Sequence, residues 1–126
     1  MIEKVLGIFE NELTKIAVPY EFLRWTADVE DRYWVGEYSE IPTDSEDGYK
    51  EISLILTGTA RGSMFVLHQD RAKIEGHFPS IGGLRLTTDK GAVAIFYENS
   101  FPVPTGEANL NRMQINLRVK AWKGTI

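Results

Sequence analysis

Cysteine is absent from the 126 residues, so disulfides, thiolate zinc sites and cysteine nucleophiles are excluded, and cytoplasmic synthesis is expected. Histidine is scarce. His68 and His77 lie nine residues apart, on roughly opposite sides of a helix, and neither has the i, i+4 partner of a zinc helix, so no metal is expected. There is also no long apolar run, and the opening stretch Met1 to Leu6 already carries Glu3. Neither a signal peptide nor a membrane span is expected, and no membrane partner.

Catalytic motifs are missing too. The acidic clusters Asp28, Glu30, Asp31 and Asp44, Glu46, Asp47 sit in polar connections, where solvation keeps carboxylates from the burial that acid–base tuning needs. The glycine-containing stretches Thr57 to Ser63 and Ile81 to Leu84 match neither a phosphate loop nor a dinucleotide fingerprint. The first precedes a helix, so anion binding near Arg61 and Ser63 is the alternative reading. The pattern predicts no enzyme and no cofactor.

A chain of this length buries roughly 70% of its unfolded surface, and a hydrophobic fraction of 43% with 25% charged residues is that of one globular domain, residues 1–126. The net charge of −4 hides an asymmetry. Residues 1–63 carry 6 Lys/Arg against 13 Asp/Glu, whereas residues 64–126 carry 8 against 5. If the two signs occupy different surfaces, copies attract one another head to side.

Ile2, Val5, Leu6, Phe9, Leu13, Ile16 and Ala17 keep helical spacing, which predicts a helix over 2–17, stopped by Pro19. Strands follow at Tyr20 to Trp25 and Tyr33 to Ile41, joined by a polar connection, Thr26 to Arg32. Pro42 to Gly48 reads as an exposed acidic loop. A third strand, Glu51 to Thr59, leads to a helix over 63–76 that Ser63 caps, with Met64, Leu67, Arg71, Ile74 and Phe78 as its stripe. Leu84 to Thr88 is a short strand, and Asp89 to Gly91 turns into Gly91 to Asn99, apolar on both faces and so inside a sheet.

Pro102, Pro104 and Gly106 predict a semi-rigid loop over Ser100 to Glu107. In the last strand Met113, Ile115, Leu117, Val119 and Ala121 alternate with Arg112, Gln114, Asn116, Arg118 and Lys120, giving one buried face and one wet face. The expected fold class is therefore α+β: an antiparallel or mixed sheet of five to six strands with two helices on one face, in the order α-β-β-β-α-β-β(-β).

The wet row Arg112, Arg118 and Lys120 suits phosphate contact, but in an acidic chain with only Trp122 as an aromatic on that strand face it reads better as a solvated or subunit-contacting face. No specific nucleic-acid binding is expected. Aromatic residues gather at Tyr20, Phe22, Trp25, Tyr33, Trp34 and Tyr38, as core or as interface anchors.

The amphipathic opening helix before Val18-Pro19-Tyr20, the phrase Tyr33-Trp34-Val35-Gly36-Glu37-Tyr38, the run Ile52 to Thr59 leading into a helix, and Asn109 to Leu117 with Lys120-Ala121-Trp122 together resemble the small tail-completion, or minor tail, proteins of long-tailed bacteriophages and prophages. The resemblance spans nearly the whole chain. It implies a non-enzymatic, ring-forming subunit, made in the bacterial cytoplasm and placed at the head-proximal end of the tail or in the neck. Its partners would be other copies, tail-tube proteins and head–tail connector proteins. Under this reading Asp44, Glu46 and Asp47 in the acidic loop and Phe101, Pro102 and Pro104 in the proline-containing loop become contact candidates, and Arg112, Arg118 and Lys120 on the last strand are the candidate basic contact for the acidic N-terminal half of a neighbouring copy.

Overall fold

A computed structural model describes residues 2–22, 32–41, 49–88 and 91–123. The elements are α1 (Ile2–Lys15), β1 (Tyr20–Phe22), β2 (Arg32–Ile41), β3 (Tyr49–Arg61), α2 (Phe65–His77), β4 (Leu84–Thr88), β5 (Gly91–Val103) and β6 (Leu110–Lys123). The fold is α+β. The six strands form one sheet in the order β1-β2-β3-β6-β5-β4, antiparallel except for the β1–β2 pair. Among the described residues no helix is long and apolar enough to cross a membrane.

Alternation decides which sheet face is covered. The registers Ile52↔Val119, Leu54↔Leu117 and Leu56↔Ile115, continued by Val93, Ile95 and Tyr97 of β5, align buried side chains on one face. Val5, Phe9 and Leu13 of α1 and Leu67 and Ile74 of α2 complete that single cluster. Phe9 sits at its junction, edge-on to Tyr20 at 5.5 Å and tilted against Phe78 at 5.6 Å. A Cβ at Gly58 would lie 2.7 Å from the Trp34 ring, so the indole occupies the space a side chain on β3 would need.

The first helix ends earlier than its apolar periodicity suggests. Ala17 takes φ 58°, its amide bonds to the Thr14 carbonyl at 3.1 Å, and the Val18 amide reaches back to Leu13 at 3.1 Å. This is a Schellman turn, in which a left-handed residue satisfies the last carbonyls before Pro19 is reached. An alanine there carries the Cβ penalty that glycine lacks. Ala17→Gly is therefore expected to raise stability by about 0.5–1 kcal/mol, read as a higher urea midpoint with unchanged slope.

Several other boundaries shift, each for a local reason. Ser100 to Val103 is not loop but the end of β5, with Phe101↔Gln114 and Pro102↔Met113 in register after an irregularity between Tyr97 and Asn99. The proline is tolerated because β4 pairs with β5 only as far as Ile95, leaving this end of the strand with one partner. Arg32 opens β2 instead of closing a polar connection. Ser63 does not cap α2 in the expected way: Met64 holds the cap position, while the Ser63 hydroxyl accepts from the Phe65 amide at 3.1 Å. Leu23 to Trp25, the loop Pro42 to Gly48 and the turn at Asp89 and Lys90 lie outside the described residues.

The buried stripe of α2 is Leu67, Asp70, Ile74 and Phe78, so a carboxylate takes the place expected of Arg71. Asp70 is 1% exposed, and its Oδ2 accepts from Arg32 Nε at 2.7 Å and from Trp34 Nε1 at 2.8 Å. The pair of donors ties β2 to α2 across the core and gives the carboxylate a structural role.

A second polar cross-link joins the helices. Glu12 on α1 accepts from Lys15 Nζ at 2.7 Å through Oε2, while its Oε1 lies 2.8 Å from His77 Nε2 on α2. The Lys15 hydrogen bond, helped by His77 and opposed by burial, holds the Glu12 carboxyl below its usual range. A depressed carboxylate stabilises the fold above its unfolded pKa of about 4.3 and loses that contribution as pH falls through the lower, folded value. The wild-type advantage over Glu12→Gln is expected to be full above pH 5 and to shrink below pH 4, as measured by urea midpoints across that range.

Candidate interaction surface

The helices cover one face of the sheet, and the register defines what stands on the other. On β6 this open face carries Arg112, Gln114, Asn116, Arg118, Lys120 and Trp122; on β5 it carries Ala92, Ala94, Phe96, Asn99, Phe101 and Val103. Tyr49, Glu51, Ser53, Ile55 and Thr57 of β3 continue it, followed by Tyr33, Val35 and Glu37 of β2. Among the described residues no helix packs over this surface.

The three basic residues expected on the wet side of the last strand therefore do share one face. They do not extend freely into solvent: all three are half-buried, lying along the sheet. The Arg118 guanidinium sits 5.8 Å from the Phe96 ring centre, and Lys120 Nζ lies 5.0 Å from the Tyr49 ring and 6.0 Å from that of Phe96. Cation–π contacts of this kind contribute about 0.5–2 kcal/mol, more as water is removed. Trp122 packs against Tyr49 at 5.7 Å, and Asn116 donates to Asn99 at 2.7 Å.

The Nε atoms of Arg112 and Arg118 are buried without a hydrogen-bond partner. Leaving such a donor unsatisfied costs about 1–3 kcal/mol. Phe96 and Tyr49 were not singled out by sequence, because they lie on strands flanking the basic row and the partnership exists only across the sheet. The alternating small residues Ala92 and Ala94 before Phe96 are the faint signal that a ring stands alone on that face.

The remaining expected contact residues divide. Phe101 is 44% exposed on the open face, opposite Gln114. Pro102 and Pro104 line a groove of about 630 Å³ at the β5–β6 hairpin, together with Met64, Val103, Leu110 and Arg112. The structure so brings the proline-containing segment and Arg112 together, while Arg118 and Lys120 stand further along the strand. Asp44, Glu46 and Asp47 lie outside the described residues.

Of the early aromatics, Trp34 is core, Tyr20 packs on Phe9, and Tyr38, 39% exposed, stacks on Phe22 at 6.0 Å. Tyr33 is half-buried on the open face, and Trp25 lies outside the described residues. His68 is exposed, and among the described residues no three acidic or histidine side chains gather as a metal site. At the start of α2 the Ser63 hydroxyl is already engaged with the Phe65 amide, and Arg61 ends β3 as an exposed residue.

No protein-family model matches the sequence, and no curated protein matches it significantly. Fourteen solved chains match the structure. One of them, whose name states no activity, superposes with a TM-score of 0.74 over 100% of this chain and 99% of its own at 15% identity. A likeness at that identity carries the fold, including its full extent, and no function.

Proposed function

We propose that this chain is a structural subunit that assembles with its own copies into a ring, of the tail-completion or minor tail type, at the head-proximal end of a phage or prophage tail or in its neck. The observation that carries this reading is the uncovered sheet face, where a row of half-buried cations rests on aromatic rings with two guanidinium donors unsatisfied. A surface built in that way gains when another polypeptide covers it. Exposed apolar residues at the margins of that face, Phe101 and Ile41, are suited to join such a contact. The phrase-level resemblance to tail-completion proteins supplies the biological setting, and on this reading the chain has no catalytic role.

Tail-tube and head–tail connector proteins are the partners that the setting implies, and the groove beside Pro102, Pro104 and Arg112 is a surface open to them. The test is electron microscopy of the purified protein, alone and mixed with the tail-tube protein encoded in the same genome. Rings that cap tube ends are the expected outcome. Particles that remain monomeric and leave tube ends bare would remove the proposal.

A further inference from the structure

We infer that the groove at the β5–β6 hairpin binds an extended peptide in which an acidic residue lies between aliphatic ones, and that Arg112 donates to its carboxylate. The groove lies within one chain, so the inference does not depend on the ring reading. Val103 and Arg112 are register partners, and Leu110 precedes Arg112 by two positions on β6, so all three stand on one face, and all three line the groove. Met64, Pro102 and Pro104 add apolar wall. At about 630 Å³ the groove has the size of a ligand site.

Its walls are held in place before anything binds. Thr105 Oγ1 donates to the Leu110 carbonyl at 2.8 Å and accepts from the Glu107 amide at 3.1 Å, which fixes the loop from inside. The Gly62 amide donates to the Asn109 carbonyl at 2.9 Å, and Asn111 Nδ2 donates to the Gly62 carbonyl at 2.9 Å. These two bonds tie the hairpin to the connection that carries Met64. A preformed groove spares its ligand the cost of ordering it.

Arg112 decides what fits. It is half-buried, and among the described residues it makes no hydrogen bond or ion pair. Of its nitrogens only Nε is buried unpaired, so both Nη groups remain accessible and meet a carboxylate end-on as a fork. The register positions around it on that face, Thr59, Gln114, Phe101 and Val103, are uncharged, and Arg61 stands exposed opposite Leu110. The one acid of the lining is Glu107, exposed in the loop. The local balance is therefore positive in a chain of net charge −4.

Such a groove recognises an anion with an apolar body, and its form selects the source. It lies open to solvent instead of enclosing a small molecule on most sides, which suits a length of polypeptide. Among the described residues no aromatic lines it, so bases find nothing to stack on, and the net charge of the chain repels a polyanion at a distance.

The experiment is an NMR titration of the isotopically labelled full chain with acetyl-Leu-Asp-Leu-amide and with acetyl-Leu-Asn-Leu-amide. Saturable amide shifts at Val103, Thr105, Leu110 and Arg112 are expected with the first. Binding about tenfold weaker is expected with the second, which keeps the shape and loses the charge. Arg112→Gln is expected to bind both peptides equally weakly, and Arg112→Lys, which keeps the charge without the fork, to fall between. Glu107→Gln is expected to tighten binding of the aspartyl peptide by about twofold, because it removes a like charge from the lining.

The spectrum of each variant shows whether it folds, and the peptide pair on wild type decides the matter even where one does not. Equal affinity for the two peptides, binding unaffected by a folded Arg112→Gln, shifts centred on Arg118 and Lys120 instead, or no saturable shift with either peptide overturns the inference. Tighter binding of laurate or of dT20 at the same amides overturns it in favour of a lipid or a nucleic acid. None of these results bears on assembly, and a chain that stays monomeric leaves the groove and its test in place.

Discussion

Asp70→Ala is expected to lower stability by about 3 kcal/mol, near the bottom of the range for breaking a buried ion pair from one side. Two groups lose their acceptor at once. Trp34 Nε1 is enclosed with the fully buried indole and has no route to water, whereas Arg32, with a side chain 30% exposed, can turn outward and recover part of its hydration. That difference keeps the cost below the upper limit of the range, about 5 kcal/mol. Asp70→Asn keeps an acceptor for the indole but removes the charge, and is expected to recover roughly half the loss. Guanidinium or urea unfolding of the two variants, at matched slope, measures both values. A change below about 0.5 kcal/mol for Asp70→Ala would show that the β2–α2 tie is not a structural element of the fold.

Phe9→Ala is expected to be at least as damaging, at about 3–5 kcal/mol, the range for removing a buried aromatic from a core. Phe9 is 0% exposed and touches both Tyr20 and Phe78, so it is where α1, β1 and the end of α2 meet. Few other groups hold α1 down. Besides Val5, Leu13 and the Glu12–His77 link, the helix has no buried anchor among its described side chains. The variant should therefore lose amide protection in α1 before it loses protection in β3 and β6, whose long ladders lie in the middle of the sheet. Uniform loss of protection across helix and sheet would contradict that order.

These two residues illustrate what the sequence does and does not disclose. Phe9 falls on a regular apolar stripe, and strands such as β6 alternate so strictly that fold class and covered face follow from the pattern alone. Asp70 is invisible to the same reasoning. Its neighbour Arg71 fits a three-and-four spacing equally well, and only the tertiary approach of Arg32 and Trp34 makes a carboxylate the better occupant of the buried position.

Pro102 misleads for a related reason: proline argues against a strand unless one edge is free, and edges are a property of sheet order. The basic row on β6 was legible, but its setting was not. Phe96 and Tyr49 come from strands distant in sequence, and the separation of Glu37 from Arg118 by two intervening ladders appears only once the order β2-β3-β6 is known. Helix ends sit between these cases. Ala17 reads as helical by polarity, yet its left-handed φ closes the turn because the last carbonyls need partners there.

Self-assembly through the open sheet face is the central claim, and sedimentation velocity of the wild-type chain from micromolar to millimolar concentration tests it most directly. The account predicts a concentration-dependent shift from monomer to one discrete larger species. A single 14.3 kDa monomer boundary at every concentration and salt would contradict it.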